Sequence, residues 1–323
     1  MRRLVIMACL MCAPVFAAPL DEARGMIDSG DYDQARTILE RSAKDPALKP
    51  TALTLLTLLN NRTENFEEGV RYGKQAVKAS PDSADAHFQY AVALRTKMSK
   101  VSKVRAMFSL GTYKKELKKA RELDPNDTEA RNEEIGFLVS APGVAGGDVD
   151  LAWQRALELE KLDWRGGLRW QAVIQFKKEE IEGGLATSRK LLEKDPADSG
   201  ARFRLAYRYQ ILERYEEADR EFAILQTDEA EQIAMNALYQ RARTRVLGRY
   251  EQEQAVEFLQ NYIEAMPAEA AGVPGKEAAY WRMGNAYEQL DRTDDARRAY
   301  EKSLQIEETD EARDSLKSLG KKR

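Results

Sequence analysis

The sequence predicts an all-α chain of repeated helical hairpins, and three observations carry that prediction. Helix formers dominate: Ala, Leu, Glu, Lys, Arg and Gln recur throughout, while the β-branched Ile and Val are comparatively sparse. Prolines that close apparent helices recur on a common period. Small residues recur in pairs twelve positions apart, one in each helix of a hairpin. With 43 % hydrophobic residues in 323, the chain has enough apolar surface for a core and lacks the composition of a disordered segment.

The prolines set the frame. Pro46, Pro81, Pro125, Pro196 and Pro267 are separated by 35, 44, 71 and 71 residues. A unit of 34 to 35 residues fits the first gap once and each of the last two twice; the second gap is one unit plus about ten extra residues. Asp45, Asp124 and Asp195 each precede one of these prolines. The residue before a proline is pushed out of the helical region, so Asp-Pro makes a natural stop.

The spacing inside the units has a packing reason. Two helices approach closely only where their side chains are small, so one small residue per helix marks the contact. Gly284 and Ala296 are twelve apart, with Tyr300 and Ser303 beyond; Ala206 and Ala218 lead to Phe222 and Leu225. Ala23 and Ala35 lead to Leu39 and Ser42, and Thr57 and Gly69 to Gly73 and Ala76. Tight-turn signals lie between the paired helices: Ser29 to Tyr32, Glu64 to Phe66, Glu213 to Tyr215 and Gly248 to Tyr250.

On these residues the chain resembles the tetratricopeptide repeat (TPR) family. Gly284, Tyr287, Ala296, Tyr300 and Leu304 match its signature in type and spacing, as do Ala206, Tyr209, Tyr215, Ala218 and Phe222. The resemblance implies a right-handed superhelical solenoid of about eight helix-turn-helix units over residues 18–323. Their expected ends lie near 46, 81, 125, 161, 196, 228, 267 and 308, with a capping helix at about 310–319. Units ending near 125, 161, 196 and 267 are degenerate.

The first 17 residues read differently. Arg2 and Arg3 precede a nearly uncharged run from Leu4 to Phe16, and Val15-Phe16-Ala17 gives a small-x-small cleavage pattern. Thirteen residues of helix reach only about 20 Å, short of a bilayer core of about 30 Å. A secretory signal peptide over 1–17 is therefore expected, with the mature chain starting at Ala18, carried across the inner membrane into a bacterial periplasm. Ile6 to Cys9 gives an alternative lipoprotein reading after a short apolar run. Cys9 and Cys12 are the only cysteines, so the mature chain is expected to hold no disulfide and no thiolate metal site. No later segment is apolar enough to span a membrane. The formal net charge of −3 becomes −5 without Arg2 and Arg3, which gives no reason to expect a nucleic acid partner.

Three segments depart from the repeat. The first, Arg95 to Arg121, holds the extra residues of the third unit. Its basic residues include Lys97, Lys100, Lys103, Arg105, Lys114, Lys115, Lys118 and Lys119, with Glu116 its sole acid. Met98, Val101, Val104, Met107 and Phe108 run through it at helical spacing. Two readings follow: contact with an anionic partner, whether an acidic protein segment, a lipid head-group surface or a cell-wall polymer, or a long helix pair whose apolar stripe packs on neighbouring units. The second segment, Ala141 to Asp148, is glycine-rich but lacks both the Gly-Lys-Ser/Thr ending and the G-x-G-x-x-G spacing of phosphate loops. It predicts a wide turn with Asp148 capping the next helix. The third, Pro267 to Pro274, predicts a connector, with a hinge for the final hairpin as the alternative.

Catalytic groups are scarce. His87 is the sole histidine and falls at a large core position between Ala84 and Ala91, so triads and zinc sites lack their parts. No enzyme activity, metal or cofactor is expected. The resemblance instead implies binding of a protein or peptide in a concave groove lined by first helices, as a scaffold or adaptor of the cell envelope. Matching the family's groove-facing positions singles out Phe88, Gln89, Arg95, Phe203, Arg204, Tyr207, Trp281, Arg282 and Asn285.

Overall fold

The computed structural model describes residues 18–267 and 272–320. The leader expected over 1–17, and 268–271 of the connector, lie outside the described residues. Helices follow in pairs: α1 (Ala18–Ser29) and α2 (Tyr32–Ser42), α3 (Lys49–Arg62) and α4 (Phe66–Ala79), α5 (Ala84–Lys100) and α6 (Lys103–Leu123), α7 (Thr128–Ser140) and α8 (Val149–Glu160). Then come α9 (Trp164–Lys177) and α10 (Ile181–Lys194), α11 (Ser199–Ile211) and α12 (Tyr215–Leu225), α13 (Glu231–Gly248) and α14 (Gln252–Ala265), α15 (Lys276–Gln289) and α16 (Thr293–Ile306), and last α17 (Asp310–Leu319). Among the described residues there is no strand. The chain forms two compact units, divided between Gly167 and Leu168 inside α9.

Local chemistry sets the helix ends. Helices α2, α4, α6, α10 and α14 stop shortly before Pro46, Pro81, Pro125, Pro196 and Pro267, as pre-proline sterics require. Starts are capped by side-chain oxygens that accept otherwise orphaned amides. Ser83 Oγ accepts from Ala86 N at 3.2 Å, and Asp198 Oδ1 from Ala201 N at 2.7 Å. Asp148 Oδ1 accepts from Leu151 N at 2.9 Å, after a single 3-10 turn at Gly143–Ala145.

The turns inside the hairpins share one backbone device. Gly30, Glu64, Glu179, Glu213, Arg249 and Asp291 all have positive φ, and the amide after each reaches back five residues along the chain. Asp31 N donates to Met26 O at 2.8 Å, Asn65 N to Asn60 O at 2.9 Å, and Arg214 N to Tyr209 O at 2.9 Å. This left-handed ending satisfies the last helical carbonyls and reverses the chain in two or three residues.

Small residues lie at the helix contacts. In the first unit Ala23, Ala35, Ala52, Ala76, Ala86 and Ala91 are fully buried, and Leu39, Leu56 and Leu59 fill the spaces between hairpins. His87 is also buried: its Nε2 lies 2.9 Å from the carbonyl oxygen of Pro81, and Nδ1 pairs with Glu116. In the second unit Ala206, Ala218, Ala286 and Ala296 are fully buried beside Phe222, Tyr262 and Tyr300. Helix α17 buries Ala312 and Leu319, and Leu319 joins the core cluster formed by α13 to α16. First helices of successive hairpins also touch: α1 with α3 and α3 with α5 in the first unit, α11 with α13 and α13 with α15 in the second.

Candidate functional site

A cleft of about 220 Å³ opens in the second unit between α9, α10 and α11. Its floor is Ala172, Phe176, Leu191 and Ala201. Val173, Tyr207 and Ile211 stand at the rim as exposed large apolar side chains. Arg169, Arg204 and Arg208 complete the wall, and the lining contains no carboxylate. Arg208 lies over the Phe176 ring at 4.2 Å, a cation–π contact that fixes it at the edge. Burial lowers the Arg204 pKa from the usual arginine value; Asp198 opposes this and Arg169 adds to it. An apolar floor walled by arginines is chemically suited to an apolar side chain next to a negative charge.

Further along the same row of first helices, Gln210 of α11 ties to α13. Its Nε2 donates to Thr244 Oγ1 at 2.8 Å, and its Oε1 accepts from Arg243. Arg282 on α15 stacks on Trp281 at 4.3 Å, and its Nη1 lies 3.4 Å from Asn285 Oδ1. Its Nε is buried with no hydrogen-bond partner. Burial lowers the Arg282 pKa; Tyr239 opposes the effect and the nearby Arg243 reinforces it.

The α15–α16 hairpin is tightly built. Asn285 Nδ2 donates to Tyr300 OH at 2.8 Å, and Tyr300 OH donates to Glu288 Oε1 at 2.6 Å. The Tyr300 ring lies directly against Gly284, leaving no room for a side chain there. Residues 277–310, which contain this arrangement, match the family model for the tetratricopeptide repeat. The last hairpin thus has the sequence pattern of a tetratricopeptide repeat. The chain's all-helical architecture is also that of solved TPR proteins. TTC0263, described as a thermophilic TPR protein of Thermus thermophilus, is 21 % identical over 59 % of this chain and 97 % of its own, with a TM-score of 0.50. Yeast Tom70 is 12 % identical over 99 % of this chain and 66 % of its own, with a TM-score of 0.59. Human IFIT1, solved as a dimer with m7Gppp-AAAA, is 13 % identical over 89 % of this chain and 71 % of its own, with a TM-score of 0.53. At these identities the likeness is one of fold. No curated protein matches the chain in sequence.

The nine residues expected in the TPR groove fall into different environments. Arg204 and Tyr207 line the α9–α11 cleft. Phe203, one residue away, turns inward and packs edge-on against Phe222 at 5.4 Å. Arg282 and Asn285 lie at the half-buried face of α15, while Trp281 Nε1 donates to Ser315 Oγ of α17 at 3.0 Å. In the first unit Phe88 and Gln89 are buried, and Asn61 Nδ2 donates to the Gln89 carbonyl at 3.0 Å. Arg95 pairs with Glu133 at 2.7 Å, a link from α5 to α7.

The basic segment folds into α5 and α6. Lys103, Arg105, Lys114, Lys115 and Lys118 are exposed, Lys97 and Lys119 are half-buried, and Lys100 pairs with Glu64 at 2.8 Å. The apolar stripe splits. Met98 packs on the core of this unit, whereas Val104, Met107 and Phe108 face solvent and do not pack on a neighbouring hairpin. A second cavity of about 440 Å³ lies between α6, α7 and α8; Lys114 reaches over the Phe137 ring at 5.5 Å there, Lys118 lies 3.7 Å from Glu122, and the arginines at and beside it are held in ion pairs. Arg121 pairs with Glu134, Arg155 lies 3.3 Å from Glu134 and 3.0 Å from Glu158, and Arg131 lies 3.3 Å from Glu158.

Sequence reasoning missed Arg169, Val173, Phe176, Arg208 and Ile211. Arg169, Val173 and Phe176 lie on α9, in a degenerate hairpin, whereas Arg208 and Ile211 lie on α11 one turn beyond the groove positions Arg204 and Tyr207 of a clear one. The available signal was Arg169, Val173 and Phe176 at i, i+4 and i+7, one face of a helix.

Proposed function

We propose that this protein is a non-enzymatic scaffold or adaptor that binds a protein or peptide along the first-helix row of its second unit. The observation that carries the proposal is the α9–α11 cleft, where Tyr207, Val173 and Ile211 are exposed around an apolar floor walled by three arginines. Aromatic and arginine side chains at a partly desolvated pocket are the usual anchors of protein recognition. The absence of carboxylates from the lining favours a partner segment with an apolar anchor next to Asp or Glu. The leader pattern over 1–17 supports action in the cell envelope, on the periplasmic side after cleavage behind Ala17.

The test is affinity capture from the native envelope with three baits: the wild type, Tyr207→Ala and Arg204→Glu. A partner retained by the wild type and lost from both variants is expected. Identical profiles from all three baits would remove the cleft from the account. Amino-terminal sequencing of the envelope-derived protein checks the export proposal, with Ala18 expected as the first residue.

A further inference from the structure

The α5–α6 hairpin is longer than its neighbours. Helix α6 has 21 residues against 14 for α4 and 13 for α7, so it reaches about 10 Å further at 1.5 Å per residue. One face of α6 closes on the core through Ser109, Tyr113, Glu116, Leu117 and Ala120. The opposite face carries Val104, Met107 and Phe108, then Gly111, then Lys114, Lys115 and Lys118, at helical spacing. The three apolar side chains are 67 %, 72 % and 83 % exposed. Large apolar groups that far into water, side by side at a hairpin tip, mark an interaction surface.

The surrounding charge says what kind. From residue 86 to residue 115 there is no Asp or Glu in sequence; Arg95 and Lys100 pair with Glu133 and Glu64 and Lys114 lies over Phe137, while Lys103 and Arg105 are exposed beside the apolar trio, with Lys97 and Lys115 in the same span. The apolar trio lines neither of the two clefts described above, so it offers a projecting edge and not a socket for a side chain. A projecting apolar edge flanked by long basic side chains fits a flat anionic bilayer: the apolar groups enter the headgroup–acyl boundary and the lysines stay among the phosphates. We propose that the tip of the α5–α6 hairpin docks this protein on a membrane surface rich in anionic phospholipid. The site lies in the first unit and is independent of the cleft on α9–α11.

The test is vesicle flotation with the chain from Ala18, which keeps the apolar run of residues 4–16 out of the assay. That chain has no cysteine, so Phe108→Cys gives one attachment point for an environment-sensitive dye. The wild type is expected to float with vesicles containing phosphatidylglycerol and to stay behind with phosphatidylcholine alone. Binding should weaken with salt without vanishing. Phe108→Glu with Met107→Ser should reduce binding at least tenfold at unchanged circular dichroism, since both side chains are exposed. The dye at position 108 should shift to the blue on anionic vesicles only. Failure to float, flotation that ignores the Phe108 and Met107 changes, or a silent dye each overturns the proposal. Binding to soluble polyglutamate as strong as to vesicles and insensitive to Phe108 also overturns it, by assigning the lysines to a polymer.

Discussion

Gly284→Ala puts the packing argument at its sharpest. A Cβ added at Gly284 would lie 2.6 Å from Tyr300 Cδ1 and 2.8 Å from Cζ, with Cε1 nearer still. Carbon atoms in contact sit about 3.5–4.0 Å apart, so the ring must retreat by roughly an ångström. It has nowhere to go: Tyr300 is fully buried, and its hydroxyl is held by Asn285 at 2.8 Å and Glu288 at 2.6 Å. Overpacking of this kind costs about 1–3 kcal/mol. Losing one of the hydroxyl bonds adds about 1 kcal/mol. The gain in helix propensity on replacing glycine offsets about 1 kcal/mol. The balance is a destabilisation of about 1–3 kcal/mol. Gly111→Ala supplies the control. It too lies inside a helix, but an added Cβ meets nothing within 4 Å, so only the propensity gain remains and the variant should be stabilised by about 1 kcal/mol. Urea unfolding followed by circular dichroism, with hydrogen exchange on α15 and α16 to localise the effect, reads both changes. If Gly284→Ala stabilises as Gly111→Ala does, the small residue is not there for close approach and the packing argument fails.

Other variants probe the buried charges and the turns. His87→Ala takes from the buried Glu116 its hydrogen-bond partner on α5 and should cost about 1–3 kcal/mol in urea unfolding, while His87→Leu with Glu116→Leu should recover part of it. Glu213→Gly removes a side chain from a left-handed backbone position and should stabilise by about 1 kcal/mol; the same change at Glu217, inside α12, should destabilise. Burial raises the Glu133 pKa above its ordinary value, against the opposing pull of Arg95 and of its bond with Tyr113. The folded state therefore holds this proton more tightly than the unfolded chain, so the contribution is full below the ordinary carboxylate value and is lost as pH rises through the folded value. The stability of Glu133→Gln relative to the wild type should accordingly improve across that window, measured by urea unfolding at a series of pH values.

Much of the architecture is legible in the sequence because it rests on local chemistry. Prolines stop helices wherever they stand, and Gly284, Ala296 and Tyr300 declare a close contact by size alone. The turns are less legible. Glu64, Glu179, Glu213 and Asp291 occupy left-handed positions usually marked by glycine or asparagine, and only the tertiary context holds them there. The candidate site is legible only in part. Arg204 and Tyr207 follow from the repeat signature, but Phe203, one helical step from the exposed Arg204, packs inward on Phe222, and Phe88 lies within the buried run from Ala86 to Ala91. A step of about 100° per residue separates a groove residue from a packing residue, and a degenerate repeat does not fix that angle. The exposure of Val104, Met107 and Phe108 depends on where the neighbouring hairpins end, which the apolar spacing of α6 does not encode.

The proposed function turns on recognition of an acidic-apolar segment of a protein partner by the α9–α11 cleft. Selection of a displayed random peptide library on the wild type, counter-screened on Tyr207→Ala and Arg204→Glu, tests it directly. The account predicts enrichment of peptides with a large apolar residue beside Asp or Glu, whose binding falls tenfold or more on both variants. Peptides without that pairing, or peptides that bind the wild type and both variants alike, would contradict it.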